Sequence, residues 1–354
     1  MKKNFLITTG GSGGHVIPAM ILYQHLSKET NVIISTDKRG LRYIDKDNLP
    51  VEVINTPKLN NIVMLPINLF IILFLLIKSY FLLKRKKIEK TFSTGGYMSV
   101  PLILAAKFLR IDIYLIEPNQ VLGRSNRYFL KFCKKIFCYS DEIKNFPNMH
   151  KDKIIKINPL VRENTYNVEK NFENKKKFNI LIIGGSQGAS FFDKDLKNSI
   201  INISKKKTIK IIHQTSEKNI SSLKDFYSDN NIENIIFSYK KNLVDIIKEA
   251  DLCITRAGAS TLAELSVLNI PFIAVPLPTS KDNHQLENAN YYKKKDCCWI
   301  IEQSGFKEKI EGTLNDIIEE KKDYQKKKNN LKKLNYQNTW INVNQKILKS
   351  LNEN

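Results

Sequence analysis

Cysteine is scarce and unpaired in this sequence. Cys133, Cys138, Cys253, Cys297 and Cys298 are odd in number and form no CxxC pair. That argues against a disulfide framework or a cysteine zinc site and fits a reducing compartment. The 14 glycines and 11 prolines in 354 residues are too few for a collagen-like or low-complexity chain. Acidic residues are short as well, 35 against 57 basic ones, which leaves a formal charge of +22. At the start, Met1-Lys2-Lys3-Asn4 runs directly into a short strand-like segment, without the long apolar stretch and small-residue cleavage site of a signal peptide, and this predicts an intracellular protein. What is present is a globular composition, 42% apolar and 10% aromatic. At about 100–200 residues per domain, the length suits two domains, each with its own core.

A lysine-rich, solvated surface accounts for the charge, or an anionic partner does: a membrane, a nucleic acid or a phosphate-rich substrate. The lysines are dispersed rather than clustered with aromatics, which speaks against nucleic acid. Short apolar runs alternate with longer helical patterns, the signature of parallel α/β sheets. Strands are predicted at Phe5–Thr8, Val32–Ser35, Val51–Ile54, Thr91–Ser93, Ile113–Ile116 and Ile136–Tyr139. In the second half they are predicted at Ile180–Ile183, Lys210–His213, Ile235–Phe237, Leu252–Ile254, Phe272–Val275 and Trp299–Ile301. Glu163–Lys177 reads as a polar linker, and the chain from Ile310 onward as charged helix. The two halves share a plan: Phe5–Thr9 leads into Gly10-Gly11-Ser12-Gly13-Gly14, and Asn179–Ile183 into Gly184-Gly185-Ser186-Gln187-Gly188. Two doubly wound domains place their ligand edges at the carboxyl ends of their strands, where they can border a shared cleft.

Ile62–Leu83 is the most apolar stretch, and Leu69–Ile77 contains no polar residue. A membrane span needs about 20 mostly apolar residues, and Pro66, Asn68, Lys78 and Ser79 make this one marginal. It also lies between two predicted strands of one sheet. The segment therefore reads as a buried helix or as an interfacial one, with Lys84-Arg85-Lys86-Lys87 placed for anionic headgroups.

Glycine loops opening helices bring backbone N–H groups to an anion. Gly10–Gly14 is not GxGxxG and lacks the acidic residue of a nicotinamide site. Arg256-Ala257-Gly258-Ala259-Ser260-Thr261 supplies a third such turn, after Leu252–Ile254, so phosphate chemistry in both domains is expected. His15 directly follows the first loop and is placed to accept a proton, or simply caps the loop. Glu264 lies four residues after Ser260 and three after Thr261 on one predicted helix, where a carboxylate can accept two hydrogen bonds from a ribose diol or merely be solvated. Asp45-Lys46-Asp47 and Asp193-Lys194-Asp195 spell metal-type pairs. The first sits in a charged loop, and the second on a helix where i and i+2 side chains diverge, so no metal is expected.

Five ordered motifs resemble the MurG family of lipid-linked N-acetylglucosaminyltransferases. They are Gly10-Gly11-Ser12-Gly13-Gly14-His15-Val16-Ile17-Pro18, Gly95-Gly96-Tyr97-Met98-Ser99-Val100-Pro101, Gly184–Ala189, Arg256–Glu264 and Asp282–Ala289. The resemblance covers almost the whole chain. It implies an α/β fold of two Rossmann-like domains facing a cleft (GT-B type), with 1–162 plus a C-terminal helix 337–354 on the acceptor and membrane side and 163–336 holding the donor. It implies metal-independent, inverting transfer from UDP-N-acetylglucosamine to the C4 hydroxyl of a lipid-linked muramoyl-pentapeptide, without a cofactor, by a peripheral enzyme on the cytoplasmic face of the inner membrane. Carried over by motif, His15 is the base, Ser186 meets the donor diphosphate, Glu264 the ribose, and backbone at Ala259, Ser260 and Thr261 the phosphates and sugar. Gln285 and Asn119 take sugar hydroxyls, Arg162 supports the donor site, Ser12, Gly13 and Gly14 floor the cleft, and Gly11, Gly95, Gly96 and Tyr97 lie on the acceptor side. The sequence departs from the family at Ile116-Glu117-Pro118-Asn119-Gln120 and at Asn158-Pro159-Leu160-Val161-Arg162, the latter one residue longer. Tyr239-Lys240-Lys241-Asn242, where backbone usually meets uracil, is altered as well. Two enzyme alternatives are a related transferase acting on diacylglycerol and a UDP-sugar epimerase.

Overall fold

β-branched and aromatic runs form two all-parallel sheets in the computed structural model, which describes residues 2–57, 63–168, 177–238, 240 and 243–352, with backbone alone at 185–189. The chain divides into two compact units, Met1–Val161 with Thr339–Asn354, and Arg162–Asn338. Arg162, expected to close the first domain, opens the second unit instead.

In the first unit the strands are β1 (Asn4–Thr8), β2 (Asn31–Thr36), β3 (Val51–Val53), β4 (Lys90–Ser93), β5 (Asp112–Glu117), β6 (Lys135–Cys138) and β7 (Ile154–Lys156), in the spatial order 3-2-1-4-5-6-7. Its helices are α1 (Gly13–Leu26), α2 (Leu65–Arg85), α3 (Val100–Phe108) and α4 (Arg124–Phe129), joined at the far end of the chain by the helix Trp340–Asn352. Side chains alternate across each strand, so both sheet faces are buried. Leu6, Ile113, Leu115 and Ile136 pack on one side with α2 and α3 residues. Phe5, Ile7, Phe92, Tyr114 and Phe137 pack on the other with α1 and with Val343, Ile347 and Leu351. Trp340 stacks on His25 of α1 with 3.6 Å between centroids, docking the returning helix.

The second unit has β8 (Phe178–Ile183), β9 (Ile209–Gln214), β10 (Glu233–Phe237), β11 (Leu252–Thr255), β12 (Phe272–Ala274) and β13 (Cys298–Ile300), in the order 10-9-8-11-12-13. Its helices are α5 (Glu163–Tyr166), α6 (Gly185–Asp195), α7 (Lys197–Lys206), α8 (Ile220–Asp229), α9 (Val244–Ile247), α10 (Ala259–Val267), α11 (His284–Lys293), α12 (Phe306–Glu319) and α13 (Lys321–Leu334), so that Trp340–Asn352 is α14. Ile180 and Ile182 bury against Phe192 and Phe306 on one face, Leu181 and Ile183 against Leu262 and Leu265 on the other.

All twelve predicted strands are present, and both sheets have the doubly wound order. The reading missed β7 and assigned Glu163–Tyr166 to linker where α5 forms; 169–176 lie outside the described residues.

The buried alternative for the apolar segment is overturned. Across the most apolar 18-residue window of α2 only 17% is buried. The packed side carries the polar Asn68 and Ser79 beside Leu75, Leu82 and Leu83. Phe70, Leu73, Phe74 and Phe81 are 55–72% exposed. A span is excluded by topology: the buried side of α2 belongs to the sheet's core, and five residues after it the chain enters β4, which pairs with β1.

Candidate functional site

In a doubly wound sheet the binding crevice lies at the carboxyl ends of the strands, where the order reverses. These switch points are β1/β4 in the first unit and β8/β11 in the second, and most of the residues singled out above lie at one or the other.

At β1/β4, Gly10 and Gly11 follow β1 with φ of 156° and 85°, and Gly95 and Gly96 follow β4, both at 87°. For Gly11, Gly95 and Gly96 this is backbone that a side chain rarely adopts. Ser12 is the N-cap of α1 without a side-chain cap bond, so the first N–H groups of the helix, at Gly13 and Gly14, lack an intrahelical acceptor. His15 is half-buried and its Nδ1 lies 2.7 Å from Thr94 O. A hydrogen bond there makes Nδ1 the protonated nitrogen and leaves Nε2 as acceptor. The Thr94 hydroxyl donates to Thr9 Oγ1 at 2.8 Å, tying the two strand ends together.

The next strand end is organised by a residue that sequence reasoning passed over. Glu117 is 2% exposed. Its Oε1 accepts from the N–H and Nδ2 of Asn119 at 3.2 and 3.0 Å, and its Oε2 from Gly123 N–H and Asn126 Nδ2 at 2.8 and 3.0 Å. A Cβ on Gly95 would come within 3.3 Å of Asn126 Oδ1. Glu117 thus holds Asn119 in place and, through Asn126, backs the Gly95–Tyr97 turn. Its signal was its place at a strand end, but nothing in the spacing says that this carboxylate turns inward.

At β8/β11, Gly184 and α6 follow β8; the Ser186 side chain lies outside the described residues, as do Tyr239, Lys241 and Asn242. After β11, Gly258 caps α10 with extended backbone and no side-chain cap bond, so the N–H groups of Ala259, Ser260 and Thr261 open the helix without intrahelical acceptors. A Cβ on Gly258 would meet nothing within 4 Å, so there is room before this helix start. Gln285 Oε1 accepts from Ala257 N–H at 3.2 Å and Leu277 N–H at 3.0 Å, which fixes its side chain against the loop after β11. Asn288 Nδ2 donates to Ala257 O at 3.1 Å and fixes the same turn. Glu264, one turn into α10, is 3% exposed and ion-paired with Arg162 Nη1. Burial pushes its carboxyl up, against the pull of Arg162. Arg256 is structural: it donates to Val275 O and Gln303 and stacks 4.6 Å from the Phe191 centroid, with burial pushing it down to about 10.

The acidic pairs do not converge. Asp193 turns inward to His213 and Thr215, whereas Asp195 pairs with Lys307 at 3.2 Å. Among the described residues no group of three or more His, Cys, Asp or Glu is placed to hold a metal.

Residues 5–138 match the glycosyltransferase family 28 N-terminal domain and residues 179–339 the family 28 C-terminal domain. A relative from Pelagibacter ubique is 47% identical over 100% of both chains. It is named UDP-N-acetylglucosamine--N-acetylmuramyl-(pentapeptide) pyrophosphoryl-undecaprenol N-acetylglucosamine transferase. A Rickettsia felis protein of the same name is 34% identical over 94% of this chain and 95% of its own. The fold matches the crystal structure of Acinetobacter baumannii MurG, with a TM-score of 0.77, 23% identity and 98% of each chain covered. It also matches a Neisseria meningitidis UDP-GlcNAc 2-epimerase, with a TM-score of 0.68, 15% identity and 99% and 100% covered. The fold and the two matched domains are thus those of a two-domain glycosyltransferase. The chain belongs to the MurG family of family 28 glycosyltransferases.

Proposed function

We propose that this protein transfers N-acetylglucosamine from UDP-N-acetylglucosamine to the C4 hydroxyl of a polyprenyl-diphospho-N-acetylmuramoyl-pentapeptide, the lipid-linked step of peptidoglycan synthesis. The observation that carries this reading is the 47% identity, over the full length of both chains, to a transferase named for that reaction. The fold alone does not choose, since an epimerase shares it. A diacylglycerol acceptor has no counterpart among the relatives described above.

The second unit holds the donor: Glu264 accepts from the ribose hydroxyls, the α10 start and the loop at Ser186 receive the diphosphate, and Gln285 takes sugar hydroxyls, a role that Asn119 of the first unit shares. Arg162 keeps the Glu264 carboxylate charged and aimed. The first unit presents the acceptor, with Gly11, Gly95, Gly96 and Tyr97 lining its place, while Ser12, Gly13 and Gly14 serve the donor. As the acceptor O4 forms its bond to the anomeric carbon, His15 Nε2 takes the O4 proton. The bond to the UDP oxygen breaks on the opposite side, which inverts the centre. Backbone N–H groups at Ala259–Thr261 carry the charge that develops on the departing diphosphate.

The outward apolar side of α2, followed by Lys84-Arg85-Lys86-Lys87, seats the enzyme peripherally on an anionic membrane at the cytoplasmic face, where a polyprenyl-linked acceptor resides. The test is transfer by purified protein from labelled UDP-N-acetylglucosamine to a short-chain prenyl-diphospho-muramoyl-pentapeptide or to diacylglycerol, with mass analysis of the lipid product. The reading expects an added N-acetylhexosamine on the first acceptor alone; glycosylated diacylglycerol, or no lipid product, overturns it.

A further inference from the structure

Beyond β2, the turn Asp37-Lys38-Arg39-Gly40 carries a charged pair that the proposed mechanism does not use. Asp37 is 5% exposed, and its carboxylate accepts from Gly11 N–H at 3.0 Å, Gly40 N–H at 2.9 Å and Arg39 Nε at 2.8 Å. The Arg39 guanidinium then reaches Tyr97, donating from Nη2 to the phenol oxygen at 2.5 Å with its carbon 5.5 Å from the ring centroid. It is held on two sides, yet its side chain remains 41% exposed. Of the five N–H groups of a guanidinium, those on Nη1 have no partner among the described residues. A Cβ on Gly11 would sit 3.5 Å from Arg39 Nη2, and one on Gly96 3.8 Å from Gly10 O and 3.9 Å from His15 Cδ2. The free guanidinium edge, the bare backbone of Gly11 and Gly96, and the His15 ring therefore border one patch of the first unit. A fixed planar cation with an unused edge beside side-chain-free backbone suits an oxyanion that can bridge two donors.

We propose that Arg39, oriented by Asp37 and Tyr97, is the cation that grips the diphosphate of the lipid-linked acceptor. This rests on the function proposed above and adds the residue that reads the acceptor's charge. The muramoyl sugar hangs from the diphosphate by C1, so an anion at Arg39 directs the opposite end of the ring, with its C4 hydroxyl, toward His15. The donor also carries a diphosphate, so acceptor and donor must be tested apart.

Full-length wild type, Arg39→Gln and Arg39→Lys are compared by varying the short-chain acceptor and UDP-N-acetylglucosamine separately. Inorganic pyrophosphate serves as competitor and, in calorimetric titration, as a ligand on its own. A lost charge-assisted contact corresponds to about a 10- to 100-fold rise in acceptor KM for Arg39→Gln, with donor KM unchanged. Pyrophosphate competes with acceptor in wild type and loses both competition and binding in Arg39→Gln. Arg39→Lys keeps the charge but not the planar edge; it falls between the two, and it decides the matter if Arg39→Gln does not fold. An unchanged acceptor KM, or a rise confined to donor KM, overturns the proposal. If wild type transfers nothing, the functional reading fails, and pyrophosphate titration still tests Arg39.

Discussion

Arg162, the first residue of the second unit, forms an ion pair with Glu264, a carboxylate buried one turn into the helix that opens after β11. Removing one partner of a buried pair leaves the other uncompensated. Glu264→Gln removes the carboxylate that we propose accepts from the ribose and is expected to raise donor KM by about 10- to 100-fold, read by initial rates against UDP-N-acetylglucosamine. The sign with pH follows from burial. Glu264 ionises above its ordinary 4.5 in the folded chain, so between those two values the unfolded chain is ionised and the folded one protonated. As pH falls through that window stability gains from this group, while donor affinity, which needs the carboxylate, declines. Donor titrations at pH values falling from neutral toward 4.5 in wild type and Glu264→Gln should show the decline in wild type only.

The room in front of α10 leads to a separation of fold from function. Gly258 has φ −71° and ψ 132°, which alanine adopts freely, and its Cβ would meet nothing within 4 Å. Gly258→Ala should keep its melting temperature while weakening donor binding, because the methyl takes space that the proposed function assigns to the diphosphate. Thermal unfolding and donor titration on one sample check both halves.

His15 is expected to matter for turnover more than for binding. His15→Ala should lower kcat by about 10²–10⁴-fold, the usual worth of a general base, with donor KM little changed. Near-normal kcat removes His15 from the mechanism.

The α2 surface makes a prediction about location. Phe70 and Phe74 are 72% and 61% exposed. At about 1.5–3 kcal/mol per buried large apolar side chain, Phe70→Ser with Phe74→Ser should weaken binding to anionic vesicles by on the order of 100-fold. Sedimentation with phosphatidylglycerol vesicles measures this, and unchanged partitioning contradicts the membrane role of α2.

A buried polar chain in the second unit sets acid sensitivity. His213 is fully buried, with Nδ1 3.1 Å from Tyr227 Oη and Nε2 3.3 Å from Asp193 Oδ1. Burial lowers its pKa below 6.5 despite Asp193. Below pH 6.5 the unfolded chain therefore takes up a proton that the folded one refuses, and stability falls as pH falls, by at most about 1.4 kcal/mol per unit. His213→Gln should flatten the dependence of the melting temperature on pH between 6.5 and 5.

The doubly wound sheets and their switch-point loops were legible because an apolar β-run ending in Gly-Gly carries both signals locally. Strand β7 was not: Ile154-Ile155-Lys156 has only two adjacent apolar residues, set between Lys151-Asp152-Lys153 and Lys156, so it carries no apolar run of strand length. The inward carboxylates Glu117 and Asp37 were also missed: in sequence they look like any acid at a strand end, and only the convergence of backbone N–H groups from distant turns makes their burial favourable. The orientation of α2 was hidden for another reason. An apolar run without clean periodicity does not say which side packs, and here the packed stripe includes Asn68 and Ser79 while phenylalanines point outward.

The most direct test is a crystal structure of the protein soaked with UDP-N-acetylglucosamine. The account expects the ribose hydroxyls on Glu264 and the diphosphate before the N–H groups of Ala259–Thr261. Nucleotide bound away from Glu264 and from the start of α10, under conditions in which the enzyme turns over, would contradict it.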